Sequence, residues 1–164
     1  TRMAFKQGAK VILDAGPAKS QYPYSALAPL EVFSPNETET EIITGIKPIN
    51  ADACLRAAIT ICSMIQTKYV VIKLGDRGCF VYDGTHCRHI APVEIGTPVD
   101  TTAAGDAFTA ALTHRYLANG EDIYEACEYA NAVGAYVVTK HGAFPSLPTQ
   151  KQLDEFLASF EEQE

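Results

Sequence analysis

The chain has 164 residues, nearly half of them hydrophobic and a fifth charged, a balance that suits one globular domain with a core of its own. Its net charge of −7 argues against nucleic acid as a partner, because phosphate backbones select basic surfaces. No apolar run approaches the roughly 20 residues that cross a bilayer, so no membrane partner is expected, and five scattered cysteines (54, 62, 79, 87 and 127) suggest reduced cytosolic thiols rather than a disulfide framework or zinc site.

Residues 1–8 read as the last turns of a helix, with Lys6 near its end and Gly8 as its cap. Residues 11–15 form a short apolar run closed by Gly16-Pro17, which suits a buried parallel strand, and residues 31–33 form a second that ends at Ser34-Pro35-Asn36. A short helix over 38–44 is stopped by Gly45. Residues 51–66 repeat small and aliphatic side chains at helical spacing, with Asn50 or Asp52 as the cap. The β-branched run 69–74, closed by glycine, predicts a central strand. Residues 79–82 and 86–90 flank Asp83-Gly84, a hairpin signal. Helices are expected over 104–119, 123–139 and 149–160, and the tail acids, Glu155 and those within 161–164, read as a solvated helix end. Alternating strands and helices predict an α/β layered sandwich with a mostly parallel central sheet flanked by helices. Ligands in such sheets sit beyond the carboxyl ends of the strands, which gathers the residues after 33, after 74 and before the helix at 104 on one rim.

The stretch Thr101-Thr102-Ala103-Ala104-Gly105-Asp106-Ala107-Phe108 carries the most chemistry. It sets a glycine turn and a carboxylate at the start of a helix, where backbone N–H groups lack intrahelical partners and the dipole favours an anion. A carboxylate beside a phosphate makes sense if its task is to take a proton from an attacking hydroxyl, which is phosphoryl transfer to an alcohol. The plainer alternative is a first-turn acid that complements the dipole. The four histidines (86, 89, 114 and 141) have no metal-ligand spacing, and neither a G-x-x-x-x-G-K-[ST] loop nor a Ser/His/Asp motif is present.

Four segments occur in an order that resembles the ribokinase family of sugar kinases, also called the phosphofructokinase-B family. They are Asn36-Glu37-Thr38-Glu39, the run from Val71 through Lys73-Leu74-Gly75-Asp76-Arg77-Gly78, the run Val99 to Leu112, and Lys140-His141-Gly142-Ala143-Phe144-Pro145-Ser146. The match covers the whole chain yet only about the second half of a family member. The resemblance therefore implies a ribokinase-like fold whose N-terminal part and small lid sheet are absent, and a chain that associates with the missing half or with itself.

The resemblance also implies roles. Asp106 becomes the catalytic base and sugar contact, with the N–H groups of Ala103, Ala104 and Gly105 as an anion hole. Asn36 and Glu39 help hold the ATP phosphates and the water shell of Mg²⁺, although the pair also fits a capping box that needs no ligand. Lys73, Leu74, Gly75, Asp76, Arg77 and Gly78 line the adenine and ribose part of the ATP site. For Arg77 two orientations stay open, toward solvent or toward a phosphate. Asn131 matches a position beside the adenine, though alone it reads as a surface helix residue. Asp100, Thr102, Val137, Lys140, Gly142 and Ser146 match places that bind a monovalent cation, K⁺, mostly through carbonyls; as an ordinary turn residue Asp100 needs none. The implied activity is ATP-dependent phosphorylation of the primary hydroxyl of a sugar, ribose first. Fructose or adenosine as acceptor, and a nucleotide-binding fragment or regulatory relative without turnover, are the alternatives.

Overall fold

A computed structural model describes residues 1–27 and 29–161. The chain divides into two compact units, Thr1–Ile90 and Ala91–Glu164. The acids at 162 and 164, and the side chain of Glu161, lie outside the described residues, while Glu155 is exposed and pairs with Lys151 at 3.7 Å. Among the described residues no helix is long and apolar enough to cross a membrane.

The first unit is built on a sheet of five strands in the order of the chain: β1 (Ile12–Asp14), β2 (Leu30–Ser34), β3 (Thr67–Lys73), β4 (Cys79–Tyr82) and β5 (Cys87–Ile90). The first three pair in parallel, and the hairpin adds two antiparallel pairs. The sheet is thus mixed, parallel on the side of β1 and antiparallel beyond β3. Asp83 closes the hairpin: its Oδ1 accepts from the Thr85 N–H at 2.8 Å and the His86 N–H at 2.6 Å, the local bond that lets aspartate turn a chain.

A short α1 (Arg2–Lys6) opens the unit, and α2 (Glu37–Thr44) and α3 (Ala51–Met64) join β2 to β3. Gly45 ends α2 in the left-handed region, a conformation that glycine adopts without a Cβ clash. Asn50 caps α3 by accepting from the Ala53 N–H at 2.9 Å. Along α3, Cys54, Ala57, Ala58 and Ile61 recur at helical spacing and bury against Phe33, Val70, Ile72 and Phe80 of the sheet. Small residues on that face bring the helix backbone close to the strands.

The second unit holds α4 (Ala104–Thr113), α5 (Ile123–Val137) and α6 (Gln150–Glu161). Helices α4 and α5 pack along each other, burying Phe108, Ala111 and Leu112 on one and Ile123, Ala126, Ala130 and Val133 on the other. Tyr136 meets Phe156 of α6 edge-on at 5.4 Å. The apolar pattern predicted an unbroken helix over 104–119. Instead the α-helical bonding ends at Thr113 and a π-helical turn, His114–Ala118, follows, with the Asn119 N–H donating to the His114 carbonyl at 3.2 Å. Arg115 sits in that wide turn, pairs with Glu121 at 2.7 Å and stacks over the Tyr129 ring at 3.9 Å. Those long-range contacts hold a geometry that helical periodicity does not encode.

Phe33 is fully buried at the centre of the first unit. Phe33→Ala is expected to lower unfolding free energy by about 3–5 kcal/mol. Phe144→Ala, at a largely exposed ring, should change it by less than about 0.5 kcal/mol. Urea unfolding followed by circular dichroism tests both.

Candidate active site

In the first unit, β1, β2 and β3 deliver a polar group at their carboxyl ends. Asn36 lies in a parallel bridge with Lys73, continuing the β2–β3 pairing, and the Lys73 N–H donates to the Pro35 carbonyl at 2.9 Å. The Asn36 side chain accepts from the Glu39 N–H at 2.9 Å, and Glu39 Oε2 accepts from the Asn36 N–H at 2.7 Å. The capping box is therefore formed, and it holds both side chains of the motif in place. The second Glu39 oxygen points at the backbone of Gly16: a Cβ there would lie 2.9 Å from Oε1 and 3.6 Å from Asp14 Oδ1.

Asp14 is a residue that sequence reasoning missed. It forms an ion pair with Lys73, joining the ends of β1 and β3, and pairs in register with Ser34. The signal available was an acid at the end of a parallel strand, directly before Gly16-Pro17. Ser34 is fully buried, and its hydroxyl lacks a hydrogen-bond partner among the described residues.

The loop after β3 is a tight 3₁₀ turn over Gly75–Arg77. Its ends are tied by the Leu74 N–H to the Gly78 carbonyl at 2.8 Å. Gly75 and Gly78 both have φ in the left-handed region, so the loop depends on glycine at each. Leu74 is buried and Asp76 exposed. The Arg77 side chain is partly exposed, and its guanidinium binds the Glu37 carboxylate and the carbonyls of Pro48 and Ile49.

In the second unit, α4 starts without a side-chain cap. Its N-cap is Ala103 at φ 64°, the one non-glycine residue with positive φ among those described, a conformation that costs alanine about 1–2 kcal/mol. The N–H groups of Ala103, Gly105 and Asp106 have no hydrogen-bond partner among the described residues, whereas the Ala104 N–H lies 3.3 Å from the Thr101 carbonyl. The open donors are thus 103, 105 and 106 rather than 103–105. Asp106 is exposed at the third helical position and likewise has no partner among the described residues.

Asp100 locks the approach to that helix. Its Oδ1 accepts from the Thr102 N–H and its Oδ2 from the Gly142 N–H, each at 2.9 Å. The Thr102 side chain, then these two N–H groups, lower its pKa to about 2. The Val138 carbonyl accepts from the Val99 N–H at 2.7 Å, and that of Val137 from the Lys140 N–H at 3.1 Å. The Lys140 ammonium lies 5.5 Å from the Tyr136 ring centre. Gly142 is left-handed, and the buried Ser146 hydroxyl donates to the Ala143 carbonyl at 2.6 Å. Asn131 is buried, not on the surface, and its amide donates to the Ala91 carbonyl at 2.9 Å.

No group of three or more metal-ligating side chains occurs among the described residues. The donors present suit harder, more hydrated ions. Asp14 and Glu39 turn carboxylate oxygens toward the space above Gly16, a donor set that fits a largely water-bound Mg²⁺. The ionised Asp100, and backbone carbonyls such as those of Val137 and Gly142, are oxygen donors of the kind that suits a monovalent cation.

The family model for pfkB family carbohydrate kinases matches residues 1–150. The chain is 31% identical over 153 residues to the ribokinase of Staphylococcus aureus (strain COL), covering 93% of this chain and 49% of that protein. It is also 31% identical over 153 residues to the deoxyribokinase of Salmonella typhi, with the same shares of 93% and 49%. The structure of Arabidopsis thaliana ribokinase complexed with ribose and ATP matches at a TM-score of 0.78 and 29% identity, over 93% of this chain and 48% of that one. This chain belongs to the pfkB family of carbohydrate kinases, in which its open five-stranded sheet and flanking helices are the ribokinase fold. It spans about half the length of the curated relatives it matches.

Asp100 generates a pH prediction. Its folded pKa of about 2 lies below the 3.8 of an unperturbed aspartate, so the unfolded chain takes up the proton first. The stabilisation is present above about 3.8 and is lost as pH falls toward about 2. Asp100→Asn should flatten this part of the stability profile, which urea titrations across the acid range will measure.

Proposed function

We propose that this chain is the nucleotide-binding and catalytic part of an ATP-dependent sugar kinase that phosphorylates a primary hydroxyl, with ribose as the favoured acceptor. The observation that carries the reading is Asp106: a carboxylate without a partner among the described residues, beside open N–H groups at a helix start whose N-cap is held left-handed. Asp106 accepts the hydroxyl proton as the sugar oxygen bonds to the γ-phosphorus, and the bond from that phosphorus to the β-phosphate oxygen breaks, leaving ADP. The N–H groups of Ala103, Gly105 and Asp106 receive the charge that develops on the phosphoryl oxygens, with Ala104 keeping the turn closed.

Asn36 and the Lys73 ammonium serve the nucleotide phosphates, and the backbone of Leu74, Gly75, Asp76 and Gly78 the ribose and base, with Asn131 at the base. Glu39, seconded by Asp14, holds the water shell of Mg²⁺, and the segment of Asp100, Thr102, Val137, Lys140, Gly142 and Ser146 holds K⁺ against the loop that leads into α4. When bound, the two cations supply charge that offsets the phosphates. The deoxyribokinase relative, as similar as the ribokinase, leaves ribose the finer part of the proposal.

The same reading assigns a partner: a segment equivalent to the other half of the relatives, in this polypeptide or another copy. Support comes from β1, which pairs on one side only within the sheet, and from a cleft of about 560 Å³ beside it, lined by Met3, Leu13, Tyr22 and Phe33 among others. A chain that binds nucleotide without transferring phosphate is the second reading.

The test is ribose-dependent ADP formation by the complete gene product with Mg²⁺ and K⁺. Asp106→Asn should lower kcat by about 10²–10⁴-fold while nucleotide affinity holds within about twofold. Unchanged turnover removes Asp106 from the role of base. Turnover only with another sugar or a nucleoside moves the acceptor, and nucleotide binding without turnover supports the second reading.

A further inference from the structure

Three acceptors from two segments of the first unit converge on one side chain that the proposed chemistry leaves unused. Arg77 Nη2 donates to Glu37 Oε1 and to the Pro48 carbonyl at 2.9 Å, and Nη1 donates to the Ile49 carbonyl at 3.1 Å. Three of the five guanidinium N–H donors are taken by protein acceptors in a fixed fork. The Arg77 backbone is tied as well: its N–H donates to the Leu74 carbonyl at 3.1 Å, and its carbonyl lies 2.6 Å from His89 Nε2. A carbonyl only accepts, so that histidine nitrogen carries the proton and donates. Glu37 is the first residue of α2, directly after Asn36, and its other oxygen lies 3.7 Å from where a Gly75 Cβ would stand. One ion pair therefore spans the two segments that the preceding reading assigns to a single nucleotide.

We infer that Arg77 is a positioning residue: bound to Glu37, Pro48 and Ile49, it sets the Gly75–Arg77 turn against the Asn36 end of α2 and does not itself bind phosphate. The inference rests on the nucleotide reading above. It departs from the role of Arg77 as part of the nucleotide-lining loop, because the side chain is directed into the protein's own carboxylate and carbonyls. The rest of the loop keeps its place, since the clamp acts through the backbone of Gly75 and Gly78.

The experiment is calorimetric titration of the chain with Mg·ATP and, separately, with adenosine, in wild type and in Arg77→Met, Glu37→Gln, the double variant and Arg77→Lys. Wild type should bind both ligands. Arg77→Met and Glu37→Gln should each weaken both by a common factor on the order of tenfold, and the double variant should be no weaker than the single ones. Arg77→Lys should recover part of the loss, because an ammonium reaches one acceptor but cannot span three. Hydrogen exchange should quicken at the Arg77 and Gly78 amides while the amides of β3 stay protected. Folded variants with wild-type affinity for both ligands overturn the inference. So does a loss confined to Mg·ATP with adenosine binding intact, which makes Arg77 a phosphate ligand. If Arg77→Met does not fold, Glu37→Gln and Arg77→Lys decide by the same criteria. A wild-type chain that binds neither ligand fails the nucleotide reading itself, whereas binding by wild type with indifferent variants fails the clamp alone.

Discussion

Backbone N–H groups in the first turn of a helix need acceptors, and this chain meets that need in two different ways. Helices α2, α3 and α5 begin on Asn36, Asn50 and Asp122, whose side chains accept from the first turn. Helix α4 begins on Ala103, which has no side-chain oxygen to offer and is bent into the left-handed region. Open donors together with local backbone strain are expected where an outside anion completes the turn. The surrounding contacts of the second unit preserve that state. Asp100 ties residue 102 to residue 142, the Val138 carbonyl accepts from the Val99 and Asp100 N–H groups, and α5 crosses close enough that a Cβ on Gly134 would stand 3.9 Å from the Ala104 carbonyl. A loop so restrained cannot relax into an ordinary capped start.

Acids at the strand ends of the first unit are neutralised locally. Asp14 is matched by Lys73, Glu37 by Arg77, and Glu39 by the Asn36 N–H. Asp106 stands apart from this pairing. Its position three residues into α4 keeps it on the favourable side of the helix dipole without committing it to a neighbour. The carboxylate is thereby left open, as the role proposed for it requires.

Much of the fold was legible because local chemistry and final structure agree. Gly45 stops α2, Asn50 starts α3, Asp83-Gly84 turns the hairpin, and the β-branched run around Val70 to Ile72 is the buried centre of the sheet. The Asn36/Glu39 spacing likewise announced its capping box. Other features leave no local trace. Alanine does not advertise positive φ, so the bend at 103 was readable only as a small-residue turn. The Lys73–Asp14 and Arg77–Glu37 pairs join residues 59 and 40 positions apart, and spacing rules reach only a few residues. Burial of Asn131 depends on residue 91, which no helical periodicity includes.

The π-helical turn after α4 has a bearing on how this segment tolerates change in length. A π turn holds one residue more than an α turn over nearly the same rise, so His114–Ala118 amounts to an insertion absorbed inside a helix. Each residue of an ordinary helix advances the side chains by about 100° around the axis, so deleting one position here and restoring regular bonding would swing Arg115 off the Tyr129 ring. The length of the helix is thus coupled to which face it shows. Gains and losses of sequence are absorbed more readily in the exposed stretch around Asn119 and Gly120, where no such angular register has to be kept.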